Sequence, residues 1–552
     1  MSKLSPSLQK LRGAYYTPIE IVNFLTKWVI QTKKDKLLEP SFGGGVFLDS
    51  ACNRYKELGT NNLNALKNIC AVELDASECD KIRDRLGSKS NQESIQILND
   101  DFFSSYKKTL QKQKFDSIVG NPPFIRYQNF DNKIRERALS LLKDFGFRPS
   151  KLTNIWMPFL VISSLLLNDN GRIAMVIPAE ILQVNYAAEL RKFLSEFFSS
   201  ITIITFKNLV FSNIQQEIVL FLAEKNHKNL GINIIELDDV SDLNQNCLAK
   251  IGVQTSLKPI DHKQDKWIQY YLTKKEILLL RKLKQHKSLK KFGELAEVDV
   301  GVVTGRNEFF VIDQKTVQKN SLSKYIIPVV SRTVQLKGGS FTRNDFHEIN
   351  KEGNRCNLFY TNKKQLDKYS KHYIENGQNQ KFHTGYKCRI RKPWHNLLSI
   401  WVPDAFLFRQ INHGIRLVLN ETDSTVTDTI HRVRFKSTID GKSMVFCFHN
   451  SLTFAFSEIM GRSYGGGVLE LEPNEAEGLP VPYVKLSSKN FKLIDKLFRE
   501  RKSLDEILDM VDNIILKDQL QFSQSEITSL RKIWKKLSSR RTNRRLKKTK
   551  NL

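Results

Sequence analysis

Five short stretches near the start of the chain carry side chains able to hold a ligand or take part in a reaction. Glu39-Pro40-Ser41 runs into Gly43-Gly44-Gly45 and then into an apolar segment. Glycines let a ligand approach the backbone closely where a following helix presents free N–H groups. The G-G-G spacing is not the G-x-G-x-x-G fingerprint, which argues against a pyrophosphate ligand. Glu73 falls 28 residues after Gly45 and closes "AVELD". A carboxylate at the carboxyl end of a strand can accept both hydroxyls of a ribose. Asp101, in "ILNDDFF", can accept from an adenine amino group while Phe102 covers a ring face. Thr17, Pro18 and Glu20 have the spacing of a capping box, with Thr17 as N-cap, Pro18 at N1 and Glu20 at N3. The fifth stretch is Asn121-Pro122-Pro123-Phe124. Proline gives no N–H to a sheet and cannot continue a helix, so this bend is either punctuation or a rigid mount for Asn121. Singly, each stretch also reads as ordinary structure: a helix start, a loop acid, a core phenylalanine, a turn.

The elements that would position these residues alternate short apolar runs with helical patterns. Candidate strands cover 36–40, 68–74, 95–98, 115–120, 171–178, 201–206 and 217–224. This order predicts an α/β unit built on a mostly parallel sheet. The connection between the last two strands is about ten residues, too short for a parallel crossover. They are expected as an antiparallel pair at one sheet edge. The candidate residues then stand in order at successive strand tips.

Four segments are expected: an α/β domain over 1–240, a helical linker over 241–290, a second domain over 291–482, and a helical segment with a basic tail over 483–552. The third has short strands, Gly- and Asn-rich turns and mixed basic and aromatic residues, as in "GYKCRIRKPWH". The net charge of +29 calls for a polyanion, and nucleic acid is the usual one. Eleven Lys/Arg and no acid lie in the final "RKIWKKLSSRRTNRRLKKTKNL", and the excess extends well beyond that tail. No run of 18 apolar residues is present, and the seven cysteines are scattered with no C-x-x-C pair. A membrane span, a zinc site and a disulfide framework are therefore not expected.

In this order, "YTP", "LEPSFGGGVFL", "VELD", "NDDFF", "NPPF" and, further on, "NLVFSNIQQEIVLFL" resemble the amino-methylating DNA methyltransferases. The likeness is to the adenine-N6 enzymes of restriction–modification systems, with a TaqI-like, Eco57I-type layout. "GVVTGRNEFFVI", "STVTDTIHRV" and "GRSYGGGVLELEP" resemble the target-recognition region of the same enzymes. The resemblance implies a Rossmann-like sheet binding S-adenosyl-L-methionine, followed by an α+β target-recognition domain and a helical basic C-terminus. It implies a cofactor pocket lined by Thr17, Glu39, Ser41, Gly43, Glu73, Asp101, Phe102 and Pro123. Asn121, Pro122 and Phe124 would hold the target base, with Phe211 stacking on its other face. Family members often carry Tyr where this chain has Phe124, and stacking needs only the ring.

That reading gives the double proline a purpose. An amino group on an aromatic base is a poor nucleophile, because its lone pair is delocalised into the ring. Acceptors on both of its N–H bonds, the Asn121 side-chain oxygen and the Pro122 carbonyl, would turn that lone pair toward the methyl donor. Double-stranded DNA is the implied partner, with a cognate restriction endonuclease acting separately and a prokaryotic, cytoplasmic, nucleoid-associated setting. Other readings are a modification subunit, a fused restriction–modification enzyme, or an RNA or protein amino-group methyltransferase. Cytosine-N4 enzymes tend to carry Ser in place of Asn121. The "YTP" element lies close to the start of the chain, and no D…E-x-K cluster is recognised later, so no nuclease module is expected.

Overall fold

The computed structural model describes residues 17–124, 131–150, 153–208, 210, 217–253, 257–260, 266–362, 365–464 and 467–546. The chain divides into two compact units, Met1–Lys274 and Lys275–Leu552.

The first unit is built on eight strands among the described residues: β1 (Leu37–Glu39), β2 (Ile69–Glu73), β3 (Gln96–Asn99), β4 (Phe115–Gly120), β5 (Leu167–Pro178), β6 (Ser200–Phe206), β7 (Ile218–Glu224) and β8 (Gly231–Leu237). Their order across the sheet is β3-β2-β1-β4-β5-β7-β6-β8. Every pairing is parallel except those of β7 with β5 and with β6. Strands covered on both faces should be apolar throughout, and β6 and β7 are buried at every position.

The order of strands turns back between β1 and β4. Such a reversal opens a crevice at the carboxyl ends of open α/β sheets. Helix α1 (Ile19–Val29) packs its Ile21, Val22, Phe24, Leu25 and Trp28 into the core. It is pinned where Ser117 Oγ donates to Val29 O at 2.8 Å and Arg172 Nη1 to Trp28 O at 3.2 Å. The helices after the strand ends are α2 (Val46–Glu57), α3 (Ala76–Leu86), α4 (Phe102–Lys108) and α5 (Asn132–Asp144).

Three sequence expectations need correction. The antiparallel strand does not lie at the edge: β7 is inserted between β5 and β6, and the edge strand on that side is β8. Residues 231–237 were not among the candidate strands of the 1–240 domain. They form a strand parallel to β6, with its first three residues buried and the rest half-exposed. An edge strand with only part of its length covered lacks the continuous apolar run that marks its neighbours. The capping box at the start of α1 is also absent. Pro18 is extended at ψ 139°, the helix begins at Ile19, and no side chain caps it. The Pro18 carbonyl takes the first N–H groups, from Ile21 and Val22, and Thr17 is left to bond elsewhere.

In the second unit a five-stranded sheet is formed by β9 (Ala296–Val300), β10 (Ser340–Phe341), β11 (Ala405–Phe408), β12 (Leu417–Asn420) and β13 (Ile430–Phe435), in the order β9-β13-β11-β12-β10. Two of the expected recognition motifs meet here. Val302 N donates to Val426 O at 2.7 Å, and a Cβ on Gly301 would fall 2.1 Å from Thr427 O, so only glycine fits.

Two helices, α6 (Ser451–Met460) and α7 (Gln524–Leu546), pack together in this unit. Several charges of the basic C-terminal segment serve that packing. Arg541, 2% exposed, pairs with Glu458 at 2.7 Å and donates to the carbonyls of Ile411 and Asn412. Arg531 reaches Ser451, Asp505 and Asp512, and Lys535 pairs with Asp505. Burial raises the Glu458 carboxyl above its ordinary range, and Arg541 opposes that rise. Among the described residues no helix is long and apolar enough to cross a membrane.

Removing one partner of a buried pair leaves the other charge stranded, at roughly 3–5 kcal/mol. Arg541→Ala is therefore expected to lower the urea midpoint by that equivalent, while Lys532→Ala on the same helix moves it by less than about 0.5 kcal/mol.

Candidate active site

Four of the candidate stretches end adjacent strands. Glu39 closes β1, Glu73 closes β2, Asp101 follows β3 and Asn121 follows β4, and these strands lie side by side in the order β3-β2-β1-β4. All run parallel, so the four residues form one row along the carboxyl edge at the strand-order reversal.

The glycine turn is held by the carboxylate of the next strand. Gly43 (φ +51°) donates its N–H to Glu73 Oε2 at 2.8 Å, and Glu73 Oε1 accepts from Asp75 N at 2.9 Å. Gly45, at φ +79°, precedes α2, and a Cβ there would lie 2.3 Å from Ile82 Cδ1. A Cβ on Gly43 would meet nothing within 4 Å, so the backbone at that point faces open space. The outer side of the turn is held by Arg85, which donates to Gly44 O at 2.8 Å and pairs with Asp49 at 2.9 Å. Nothing in the sequence spacing links Arg85 to this loop, because the contact depends on how α3 packs.

Glu39 is 1% exposed, and its Oε2 has no hydrogen-bond partner among the described residues. The Ser41 hydroxyl is likewise buried without one. Burial first, then the nearby Glu73 and Asp49 carboxylates, raise the Glu39 pKa well above the ordinary range. A buried acid among other acids is costly to ionise unless a cation arrives.

The mount of Asn121 is visible on two sides. Its side-chain Nδ2 donates to Thr17 Oγ1 at 3.0 Å, across 104 positions of sequence. This bond turns the amide so that its oxygen points away from Thr17. Pro122 is buried, and Pro123 and Phe124 are half-buried. On the near side, a Cβ on Gly120 would lie 3.3 Å from Pro40 Cδ and 3.8 Å from Glu39 Cγ. The backbone entering the double-proline bend is thus in contact with the Glu39-Pro40 corner.

The remaining candidates are differently engaged. Asp101 caps α4 through Ser104 N at 2.9 Å, and its other oxygen is taken by Arg137 of α5. Arg137 was not signalled by the sequence, since it stands 36 residues further on. Phe102 is 2% exposed and stacks on Phe159 with centroids 5.0 Å apart. Phe211 lies outside the described residues. No group of three or more His, Cys, Asp or Glu among the described residues is placed to hold a metal ion.

An α/β sheet of this order, with a glycine turn, a row of acids and a double-proline bend at its switch point, defines an S-adenosyl-L-methionine-dependent methyltransferase. Two family models carry the identification further. Residues 29–211 match the Eco57I restriction-modification methylase, and residues 264–516 match the C-terminal domain of the type II methyltransferase M.Eco57I. The chain belongs to this Eco57I-type family of restriction–modification methyltransferases.

Type II methyltransferase M.AccI of Acinetobacter calcoaceticus is 27% identical over 547 residues, which cover 92% of this chain and 93% of that protein. M.HindII of Haemophilus influenzae is also 27% identical, over 54% of this chain and 55% of its own length. Among solved structures, the type IIL restriction-modification enzyme MmeI in complex with DNA has the same fold, with a TM-score of 0.58 at 13% identity. That match covers 94% of this chain and 75% of MmeI.

The residues present fit the methyl donor. S-adenosyl-L-methionine brings an ammonium and a sulfonium, and the pocket offers a buried carboxylate with an unbonded oxygen beside two further acids. The ionised form of Glu39 would attract that cation. Below its raised pKa Glu39 is neutral, so cofactor affinity is expected to rise as pH climbs through that value, with a proton released on binding. Calorimetry between pH 5 and pH 9, in buffers of different ionisation enthalpy, checks this; Glu39→Gln is expected to bind more weakly and to lose that pH dependence.

Proposed function

We propose that this protein is a site-specific DNA methyltransferase that transfers a methyl group to N6 of an adenine extruded from duplex DNA. The observation that carries this reading is the Asn121 amide, anchored by Thr17 at the tip of β4 and in contact, through Gly120, with the corner that bears Glu39. An amide oxygen beside a main-chain carbonyl matches an NH2 group, which has two N–H bonds to give. Proline on both sides of the Pro122 carbonyl removes the backbone freedom that would let it drift.

The bound cofactor supplies an electrophilic methyl group on a sulfonium, a good leaving group. The side chains therefore supply position and electrostatics, without a strong base. Phe124 packs on the core of the first unit, and its ring would replace part of the stacking lost when the base leaves the helix, about 1–3 kcal/mol per stacked base. Thr17 keeps the amide's donor end occupied so that the acceptor end faces the base. Glu39, Ser41, Gly43, Glu73, Asp101, Phe102 and Pro123 are assigned to the cofactor side. The recognition reading of the second unit follows from the +29 charge and from its match to the family's C-terminal domain. A prokaryotic cytoplasm and a separately acting endonuclease belong to the same reading.

The purified chain, given labelled cofactor and duplex DNA, is expected to yield N6-methyladenine on enzymatic digestion. Label in cytosine, RNA or protein alone would overturn the assignment. Asn121→Ala is expected to lower turnover by at least about 10²–10³-fold, the scale for losing one preorganised hydrogen-bonding group, with cofactor affinity within twofold of wild type. Thr17→Val, which removes only the amide's anchor, is expected to cost about 1 kcal/mol, read as a several-fold fall in kcat in single-turnover assays.

A further inference from the structure

The second unit holds a cavity of about 490 Å³ in which one edge of the five-stranded sheet meets the turn around 385–399. Asp299, Val300 and Arg432 come from β9 and β13, Val302 and Val303 from the following loop, and Lys387, Ile390, Arg391 and Lys392 from the turn. This site belongs to neither the cofactor pocket nor the base mount, both of which lie in the first unit.

The cavity is framed by fixed contacts. Arg391 donates to Thr304 O at 2.7 Å and also to Val303 O. Gly305, at φ +77°, brings the loop so near the short helix Tyr386–Arg389 that a Cβ would lie 2.6 Å from Lys387 Cβ. On the opposite wall Arg432 pairs with Asp299 at 2.6 Å and donates to Val300 O at 3.0 Å. The two arginines are thus held by main-chain carbonyls and one acid.

The charge balance of this frame is lopsided. Among the described residues Asp299 is the one acid lining the cavity, and Arg432 neutralises it. The carbonyls that hold Arg391 are neutral and leave its charge uncompensated. Lys387 and Lys392 are exposed and form no ion pair among the described residues. Three positive charges therefore face one opening, beside Ile390 at 59% and Leu398 at 72% exposure. Cations that no acid of the same wall neutralises, next to exposed aliphatic side chains, suit a polyanion with an apolar part: phosphate oxygens for the ammonium groups, and sugar and base faces for the side chains.

We infer that this cavity grips the sugar–phosphate backbone of the target duplex, with Lys387 and Lys392 each on a phosphate and Ile390 and Leu398 against the adjoining groove wall. The inference rests on the DNA reading proposed above. Phosphate contacts release counterions, so each one contributes about 0.9 to the slope of log K against log salt concentration.

The test is duplex binding by the full-length protein, followed by fluorescence anisotropy from 50 to 300 mM salt, for wild type and for the Lys387→Ala/Lys392→Ala double variant. The slope is expected to fall by about 1.8 in the variant, with weaker binding on every duplex tried, unchanged cofactor affinity and the same methylated positions. A variant with wild-type circular dichroism and wild-type slope would overturn the assignment of this cavity, leaving DNA methylation untouched. A wild-type chain that shows no salt-dependent duplex binding would instead remove the DNA reading on which the inference stands.

Discussion

The reactive edge depends on one contact made across a long stretch of chain, the Asn121 amide on the Thr17 hydroxyl. An asparagine side chain is symmetric in shape and asymmetric in chemistry, so a site that needs its oxygen must also occupy its nitrogen. Thr17 does this from outside the sheet, at the entrance to α1. The position of α1 is set in turn by Ser117 and Arg172, which reach main-chain carbonyls at its end. The same sheet supplies Gly120, whose missing Cβ lets β4 lie against the Glu39-Pro40 corner. Asn121 and Glu39 are thus brought together by backbone contact as well as by side-chain reach.

The acids of the edge work against one another in the absence of a cation. Glu73 accepts from two backbone N–H groups and through them holds the glycine turn. Glu39 has no such partner for one of its oxygens, and burial favours its neutral form. Two carboxylates a strand apart are differentiated by their hydrogen bonds rather than by their chemistry. The arrangement divides the labour: one acid shapes the loop and the other awaits charge.

Much of this edge was legible in the sequence because strand tips are punctuated by residues with strong local rules. Glycine at positive φ, proline at a strand end and an acid after an apolar run each announce themselves within a few positions. Phe115–Gly120 was delimited to the residue, since its buried Ile118-Val119-Gly120 end runs straight into a proline bend. What escaped notice depends on distant packing. β8 was not anticipated, since only its first three residues are buried and Asn233 and Glu236 interrupt its apolar run. Thr17 fitted a helix cap by spacing, yet the extended Pro18 moved the helix start and released its hydroxyl. Arg85 and Arg137 reach their partners only after helices dock. The charge of the basic C-terminal segment was counted toward a polyanion partner, whereas Arg531 and Arg541 are inner ties of the second unit.

The interior place of β7 has a consequence for how such a protein can diversify. A strand that runs backward between two forward ones must begin at the end where its neighbours finish; Ile218 stands opposite Pro178. The connection out of β6 therefore never has to cross the sheet, and its two anchorages lie on the same side as Glu39 and Asn121. Extra residues acquired between those anchorages would not disturb a single rung of the ladder. The length of that connection is thus set independently of the scaffold's strand pairing.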